Sequence, residues 1–285
     1  KPEFSWSESS KIEKSISNFL TSNGFNEIIN NSLTSPKNKS DNLIEPVTIL
    51  NPLSNELSCL RQSIINSMLD TISYNINRQN KILKLFEFGN VYGKDKKYNE
   101  SQRVCISIFG NVFQENWNIN FSISEFYYLK GIVSNLLDLL KIKRFNEVYF
   151  KNNFFSEGVQ FKINETTLID MGLIKNDLLN KHDINAPVYI AELYWENILR
   201  FAYKEPLIYK DISKHPSSRR DFSLLINESV SFDSIKNIAF KTDNNILKTV
   251  NLFDFYKGKE LPSGKKSYGV SFDFQDYNKT LTDKE

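Results

Sequence analysis

Cysteine and histidine are scarce in this chain of 285 residues, which contains two of each. Cys59 and Cys105 lie far apart and form no CxxC pair, so neither a disulfide framework nor a zinc site is expected. This usage fits a reducing cytoplasm, and we predict that both cysteines are plain packing residues. His182 and His215 lack spaced acidic or nucleophilic partners, which predicts a solvated surface role for His182 and a linker role for His215.

Long apolar runs and phosphate-binding loops are also missing. No stretch approaches the roughly 18 apolar residues of a membrane span, and the first residues do not resemble a signal peptide. Neither a GxGxxG loop nor a P-loop occurs. The net charge is only +2, and the excess lies in residues 206–285, which hold 13 basic and 11 acidic residues. RNA binding must therefore depend on local groups, and neither a membrane nor DNA is expected as a partner.

Apolar residues make up 40% of the chain, enough for the cores of two domains of ordinary size. Both ends suggest a fragment of a longer protein. The chain starts at Lys1 rather than at Met, and residues 282–285 (TDKE) match the capping box that opens a helix.

The first two thirds of the sequence mixes helical and strand periodicities. Predicted helices cover residues 8–23, closed by Gly24, and residues 60–72, 129–140 and 194–201. Predicted strands cover residues 25–33, 47–50, 82–92, 104–108, 159–163, 167–174 and 187–193. This order predicts an α+β domain in which helices flank an antiparallel sheet.

A second pattern follows residues 206–212, which we interpret as a linker. Strands are predicted at residues 222–226, 247–256 and 268–274, with a helix around residues 235–239 between the first two. A further helix is expected to begin at Thr282. The order β-α-β-β predicts a ferredoxin-like unit that is short of its last helix and strand.

Several short motifs occur in one fixed order across the chain. They are Asn51-Pro52-Leu53-Ser54, Leu60-Arg61, Asn77-Arg78, residues 85–92 (LFEFGNVY), Ala191-Glu192-Leu193, residues 214–221 (KHPSSRRD), residues 252–258 (LFDFYKG), residues 264–267 (GKKS) and residues 280–283 (TLTD). Together they resemble the C-terminal part of the β subunit of bacterial-type phenylalanyl-tRNA synthetase. Any one of these motifs alone would be a weak signal.

The resemblance implies two modules. Residues 1–205 resemble the β subunit's non-catalytic copy of the class II synthetase core, and residues 213–285 resemble its ferredoxin-fold anticodon-binding domain. The implied enzyme is a cytoplasmic ligase that uses ATP and Mg²⁺ to attach phenylalanine to tRNA(Phe). It works as an (αβ)₂ heterotetramer in which the α subunit performs the chemistry. No cofactor, metal or catalytic residue is expected in this chain.

The first module departs from a working class II site. Such a site needs arginines and acids around the ATP phosphates. Residues 24–28 resemble the first class II motif and residues 86–88 the second, but residues 190–196 (IAELYWE) lack the glycine pair and arginine of the third. We therefore expect a catalytically silent packing partner. Arg61 is expected at a helix interface or paired with Glu56, and Glu87 is expected to be satisfied by Arg78 or a backbone donor.

The second module offers candidate RNA contacts. They are Arg219, Arg220, Lys257, Lys259, Lys265 and Lys266, with Tyr256 as a stacking candidate beside Phe253 and Phe255. The four lysines are expected to project from one hairpin tip, although a solvated turn would look the same. Asp221 is expected to pair with Arg220. At least two of the three aromatic residues are expected in the core, because alternation sends some side chains inward.

Two other interpretations remain open at this stage. The chain could be a stand-alone RNA- or protein-binding module with a ferredoxin-like domain, which would bind RNA without preference for tRNA(Phe). It could also be an enzyme with its own ATP site, which calorimetry would detect.

Overall fold

The fold is taken from a computed structural model, which describes residues 8–38, 45–112, 117, 125–204, 209, 211–258 and 260–282. The chain divides into two compact units, Lys1–Pro206 and Leu207–Glu285. Several of residues 206–212, the proposed linker, lie outside the described part, as do Ser5 to Ser7 of the first capping box. None of the described helices is both long and apolar enough to cross a membrane.

The first unit contains five α-helices and nine strands among the described residues. In chain order they are α1 Glu8–Ser22, β1 Asn26–Glu27, β2 Leu33–Thr34, β3 Cys59–Leu60, α2 Ile65–Ile76, β4 Leu83–Lys94, β5 Tyr98–Phe109, α3 Glu125–Leu139, β6 Asn146–Phe150, β7 Phe155–Ile163, β8 Thr166–Ile174, α4 Asn176–Lys181, β9 Val188–Tyr194 and α5 Trp195–Phe201. Two short 3₁₀ helices, Pro36–Asn38 and Asn55–Leu57, lie between β2 and β3.

A seven-stranded sheet organises this unit, in the order β1-β4-β5-β9-β8-β7-β6. All neighbours are antiparallel except β1 and β4, which are parallel. Apolar residues of α1, α3 and α5 pack on one face of the sheet, and those of α2 and α4 pack on the other. Helices therefore flank a mainly antiparallel sheet, which confirms the predicted α+β class.

The predicted strand over residues 25–33 is wrong in extent. Only Asn26–Glu27 is a strand paired with β4, and the Ile28 N–H makes one further backbone hydrogen bond, to the Phe86 carbonyl. The reason is Asn30, whose backbone N and side-chain Nδ2 both donate hydrogen bonds to the Glu87 carboxylate. Two polar contacts to a residue on the neighbouring strand thus end the strand early.

The second helix starts later than its apolar pattern suggested. Leu60 belongs to the short strand β3, because its N donates to the Val47 carbonyl and the Arg61 N donates to the Ser32 carbonyl. The helix α2 begins at Ile65. Residues 47–50 form no strand of their own, and Thr48 makes a single bridge to Cys59.

His182 does not have the predicted solvated surface role. Its side chain is only 7% exposed, and Nδ1 lies 2.8 Å from Asp70 Oδ1 on α2. The ring thus links the end of α4 to α2. His215 contacts Thr280 across 3.3 Å, and both cysteines are buried.

The second unit has the strand-helix-strand-strand order expected of it. Its elements are β10 Ser218–Asn227, α6 Phe232–Thr242, β11 Leu247–Tyr256 and β12 Lys265–Phe274. The sheet order β10-β12-β11 places the last strand in the centre, antiparallel to both neighbours. Apolar side chains of α6 pack on Leu247, Val250, Tyr268 and Val270. The opposite face of this sheet, which we call the open face, is not covered by α6.

Candidate functional site

Arg61 forms a buried ion pair with Glu87, which lies within β4. The Arg61 Nη1 lies 2.6 Å from Glu87 Oε1, and the side chains are only 5% and 1% exposed. Arg61 Nε also donates to the Asn90 carbonyl at 2.9 Å. A Cβ at Gly89 would collide with the guanidinium, so the glycine in the LFEFGNVY motif makes room for it. The pair is structural, and Glu56 is not the partner of Arg61.

Arg78 does not satisfy Glu87 either. Its guanidinium lies over the Tyr74 ring, and its Nη1 donates to the Tyr74 carbonyl. Tyr74 lies on α2 and Arg78 just beyond its C-terminal end, four residues later. The expected backbone donor to Glu87 is present, and it is the N–H of Asn30.

A polar cleft of about 530 Å³ opens on the face of the large sheet that also carries α2. Its floor includes two buried carboxylates, Asp170 on β8 and Glu192 on β9. Glu192 accepts hydrogen bonds from Ser63 Oγ and the Ile64 N–H, and Asp170 accepts from Gln160 Nε2 and Tyr194 OH. Burial raises the pKa of both carboxyl groups, and the hydrogen bonds offset only part of that effect.

Arg103 is the only arginine among the described residues that line this cleft. Its guanidinium lies 4.3 Å from the centre of the Tyr194 ring and 3.7 Å from Glu196. Burial and the neighbouring carboxylates raise the pKa of Tyr194, so its hydroxyl remains a hydrogen-bond donor. Burial also raises the pKa of the Cys105 thiol, which leaves it an unreactive packing group. The cleft thus has more acidic than basic groups, the reverse of a triphosphate site.

In the second unit, Arg219 reaches across the open face. It extends from β10 and lies 5.4 Å from the centre of the Phe253 ring on β11, on the far side of the central strand. The central strand carries two small residues, Gly269 and Ser271, beneath these larger side chains, and Asp273 lies directly opposite Arg219. The open face therefore presents the Arg219 guanidinium above the Phe253 ring, with Tyr256 further along β11.

A β-bulge decides which aromatic side chains are exposed. The pairing of β11 with β12 shifts between Leu252 and Asp254, so that Phe253 and Asp254 together oppose Gly269. Phe253 and Tyr256 lie on the open face, 50% and 43% exposed, and Phe255 lies against Tyr268 at the edge of the other face. The prediction that at least two of these three belong to the core is wrong, because Phe253 and Tyr256 lie on the open face and Phe255, although on the other face, is 56% exposed.

The four lysines do not share one hairpin tip. Lys266 faces the helix side and is only 9% exposed, with its ammonium 4.7 Å from the centre of the Tyr268 ring. Alternation along β12 explains this, since Lys266 and Tyr268 are two residues apart. Lys257 is exposed and pairs with Glu228 at 2.9 Å, and Lys265 is half-buried opposite Asn227. Lys259 lies outside the described residues.

Arg219 and Arg220 point to opposite faces of β10, so only Arg219 lies on the open face. The ion-pair partner of Asp221 is Arg219, with Nε 2.7 Å from Oδ1, rather than Arg220. Residues two apart on a strand share a face, which is why this pair forms. The Asp221 contact raises the pKa of Arg219, which stays charged. Arg220 is exposed and donates to the Arg219 carbonyl.

Sequence reasoning did not single out Arg103, Asp170 or Tyr194, and it used Glu192 only as part of a motif. One signal was available, because Asp170 and Glu192 are each a lone carboxylate within an apolar strand. Their meeting on adjacent strands needed the sheet order β9-β8, which periodicity does not reveal.

Comparisons with known proteins agree with this architecture. A family model described as the phenylalanyl tRNA synthetase beta chain CLM domain matches residues 4–195, and the ferredoxin-fold anticodon binding domain matches residues 213–285. The pyrrolysyl-tRNA synthetase of Desulfitobacterium hafniense has a similar fold, with a TM-score of 0.53 at 16% identity over 67% of this chain and 68% of that one.

Curated relatives carry the same domains. Phenylalanine–tRNA ligase beta subunits of Bacteroides thetaiotaomicron and Bacteroides fragilis are 36% and 34% identical over 97% of this chain, and that of Clostridium acetobutylicum is 31% identical over 96%. The chain spans 36% of the length of the two Bacteroides relatives and 35% of the third. With both domain models matched in order along one chain, the protein belongs to the family of phenylalanyl-tRNA synthetase β subunits.

Proposed function

We propose that this chain is the part of a phenylalanine–tRNA ligase β subunit that packs on a catalytic α subunit and holds the anticodon region of tRNA(Phe). The observation that carries the RNA-binding role is the open face of the second unit, where Arg219 lies over Phe253. The assembly would be a cytoplasmic (αβ)₂ heterotetramer, with ATP and Mg²⁺ bound at the α-subunit site. Membership of the family supports these assignments.

The open face suits a single-stranded RNA loop. Unstacked bases bind aromatic rings and guanidinium planes, and stacking contributes roughly 1–3 kcal/mol per base. Phe253 and Tyr256 are half-exposed on this face, and Arg219 offers both a plane and a charge. Of the other predicted contacts, Lys257 and Lys265 lie near the hairpin end, and Arg220 lies on the other face. We retain Lys257 and Lys259 as candidate phosphate contacts and assign the buried Lys266 to packing.

A loop of the first unit suits docking to another protein. Leu50 and Leu53 are 98% and 94% exposed, although the loop is anchored by the Ile49 N–H donating to the Ser58 carbonyl at 2.9 Å. Exposed leucines on an anchored loop contribute apolar area without a large ordering cost. We therefore place the α-subunit contact at this loop.

We assign no catalytic step to the first unit. A triphosphate site requires several cations placed around developing negative charge. The cleft described above carries Asp170 and Glu192 on its floor and Arg103 as its one described arginine. This balance disfavours ATP and supports a scaffold role for the class II fold.

The test is tRNA binding by the ligase assembled from an α subunit and the β subunit that contains this chain. Arg219→Ala should weaken the affinity for tRNA(Phe) by about 1–3 kcal/mol, the loss expected for one stacking or phosphate contact. The magnitude of the salt slope of log K should also fall by about 1. Lys236→Ala is the matched control, because it removes an exposed charge from α6 on the opposite face.

Unchanged affinity and salt slope in Arg219→Ala would exclude the open face. Binding that does not distinguish tRNA(Phe) from other tRNAs would favour the stand-alone RNA-binding module instead.

A further inference from the structure

Two buried carboxylates face each other on adjacent strands of the large sheet. Asp170 on β8 is the direct cross-strand neighbour of Glu192 on β9, and the same row continues to Gln160 on β7 and Cys105 on β5. Directly opposite side chains have Cβ atoms about 4.5–5.5 Å apart. This places two acidic groups side by side on the floor of one cleft.

Such a pair disfavours its own ionisation. Like charges placed opposite each other on a sheet are destabilising, and Asp170 and Glu192 are only 5% and 8% exposed. Each has hydrogen-bond donors from the protein, and the charge of Arg103, with that of Lys162 for Asp170, acts on them from a distance. Among the described residues, however, no basic side chain makes a short ion pair with either carboxylate. A cation that entered the cleft would relieve this repulsion, which gives the site a reason to bind one.

The walls of the cleft narrow the choice of cation. Tyr92 and Tyr194 provide aromatic surface, and Asn99 and Asn152 provide amide groups. Its volume of about 530 Å³ lies within the roughly 300–1,000 Å³ of small-molecule sites. No group of three or more His, Cys, Asp or Glu side chains in the described residues is placed to hold a metal ion. Hydrogen-bond acceptors beside aromatic rings suit an organic ammonium group.

Arg103 adds a second recognition element. It lies on β5 beside Tyr194 and lines the same cleft as the two acids. A guanidinium binds a carboxylate in a planar, two-pronged geometry. Asp170 and Glu192 can accept hydrogen bonds from an ammonium group, and Arg103 can bind a carboxylate. A free amino acid carries both of these groups.

We propose that this cleft binds a small molecule with a primary ammonium group, held by Asp170 and Glu192. The ligand is either a free amino acid, whose carboxylate meets Arg103, or a simple amine. This site is separate from the tRNA-binding and docking roles, which involve other residues, and it adds a small-molecule site to the scaffold role of the first unit.

Calorimetric titration of the full chain with matched compounds tests the proposal. The compounds are L-phenylalanine, phenethylamine without the carboxylate and 3-phenylpropanoate without the ammonium, with L-lysine and cadaverine as a second pair. At least one ammonium compound should bind with Kd below about 1 mM. Glu192→Gln and Asp170→Asn should each weaken it by about tenfold or more, and Asp138→Asn, an exposed acid on α3, should not. If the amino acids bind more tightly than the matching amines, and Arg103→Met removes this difference, the cleft is an amino-acid site.

Ser101→Phe decides the matter if the acid variants fail to fold, because it keeps both carboxylates and fills the cleft from β5. Binding should then disappear while the melting temperature stays near the wild-type value. The proposal is overturned if no ammonium compound binds, if 3-phenylpropanoate or MgCl₂ alone binds as well as the amines, or if the variants bind normally. None of these readouts involves tRNA, so the outcome is independent of the anticodon-binding role.

Discussion

At the scale of single residues, the Arg61–Glu87 pair illustrates how burial changes the contribution of an ion pair to stability. Glu87 is almost fully buried, and its oxygens accept hydrogen bonds from Arg61 and from Asn30. Removing only one member of a buried pair leaves the other charge uncompensated, at a cost of about 3–5 kcal/mol. An exposed pair such as Lys257–Glu228 is worth roughly 0–1 kcal/mol.

Arg61→Met should therefore lower the free energy of unfolding of the first unit by about 3–5 kcal/mol. Urea unfolding followed by fluorescence of the buried Trp195 measures this. Lys130→Met, which breaks the more exposed Lys130–Glu147 pair of the same unit, is the control for the loss of one charge. The double variant Arg61→Met/Glu87→Gln should recover much of the loss, since it leaves no buried charge, and a single variant with an unchanged midpoint would refute the argument.

Glu192 predicts a dependence of stability on pH. Burial raises its pKa in the folded protein, so folding favours the protonated acid. The stability linked to this group is fully present below the unfolded pKa of about 4.3, and it is lost as the pH rises through the folded pKa. Glu192→Gln is always neutral and can still accept from Ser63 and Ile64.

The melting temperature of Glu192→Gln minus that of the wild type should therefore increase as the pH rises from 4 to 8. Thermal unfolding followed by circular dichroism measures this difference. Asp138→Asn controls for a general change of net charge. A difference between Glu192→Gln and wild type that is constant across this range would contradict the burial argument.

At the scale of elements, the β11 bulge and the small residues of β12 act together. The bulge places Phe253 and Asp254 together opposite Gly269, which leaves room beneath the Phe253 ring. A Cβ built at Gly269 would lie 2.8 Å from the Asp254 Cβ and 3.0 Å from the Phe253 ring. The Arg219–Phe253 contact therefore depends on the absence of a side chain at Gly269.

Gly269→Val should destabilise the second unit by about 1–3 kcal/mol through overpacking, and it should weaken tRNA binding as Phe253 is displaced. Denaturant unfolding and the tRNA affinity of the assembled ligase measure the two effects. Ser267→Val, on the same face two residues away, should change both much less. Equal effects of the two variants would show that Gly269 has no special role.

At the scale of the whole molecule, the two units differ in how fully their sheets are covered. In the first unit, α1, α3 and α5 cover one face of the sheet and α2 and α4 the other, and the second unit leaves a face of its small sheet uncovered by α6. Partner contacts are accordingly expected at a loop in the first unit and on a sheet face in the second.

Replacing both exposed leucines, Leu50→Ser with Leu53→Ser, should weaken co-purification with the α subunit by about 2 kcal/mol or more, because buried apolar anchors dominate interfaces. The melting temperature of the free chain should stay unchanged, since both side chains are exposed. Val148→Ser, an exposed apolar residue on β6, is the control. Normal assembly of the double variant would move the docking surface elsewhere.

The sequence by itself determined the element types, the fold class and the family. Helical and alternating periods identified α1, α2, α3 and the main strands, because these patterns reflect which face each element buries. Periodicity missed β6, because most of its side chains are exposed, and α4, because the helix has only six residues. The order of the motifs, rather than their composition, indicated the family.

Only the tertiary structure decided which side chains meet. Glu87 pairs with Arg61 across 26 positions, Asp170 faces Glu192 across 22, and Arg219 reaches Phe253 across a third strand. A single bulge after Leu252 decided which faces of the sheet Phe255 and Tyr256 take. A sequence pattern indicates which face of its own helix or strand a residue lies on. Which side chains contact each other depends on strand order and register, and these are set only when the whole sheet forms.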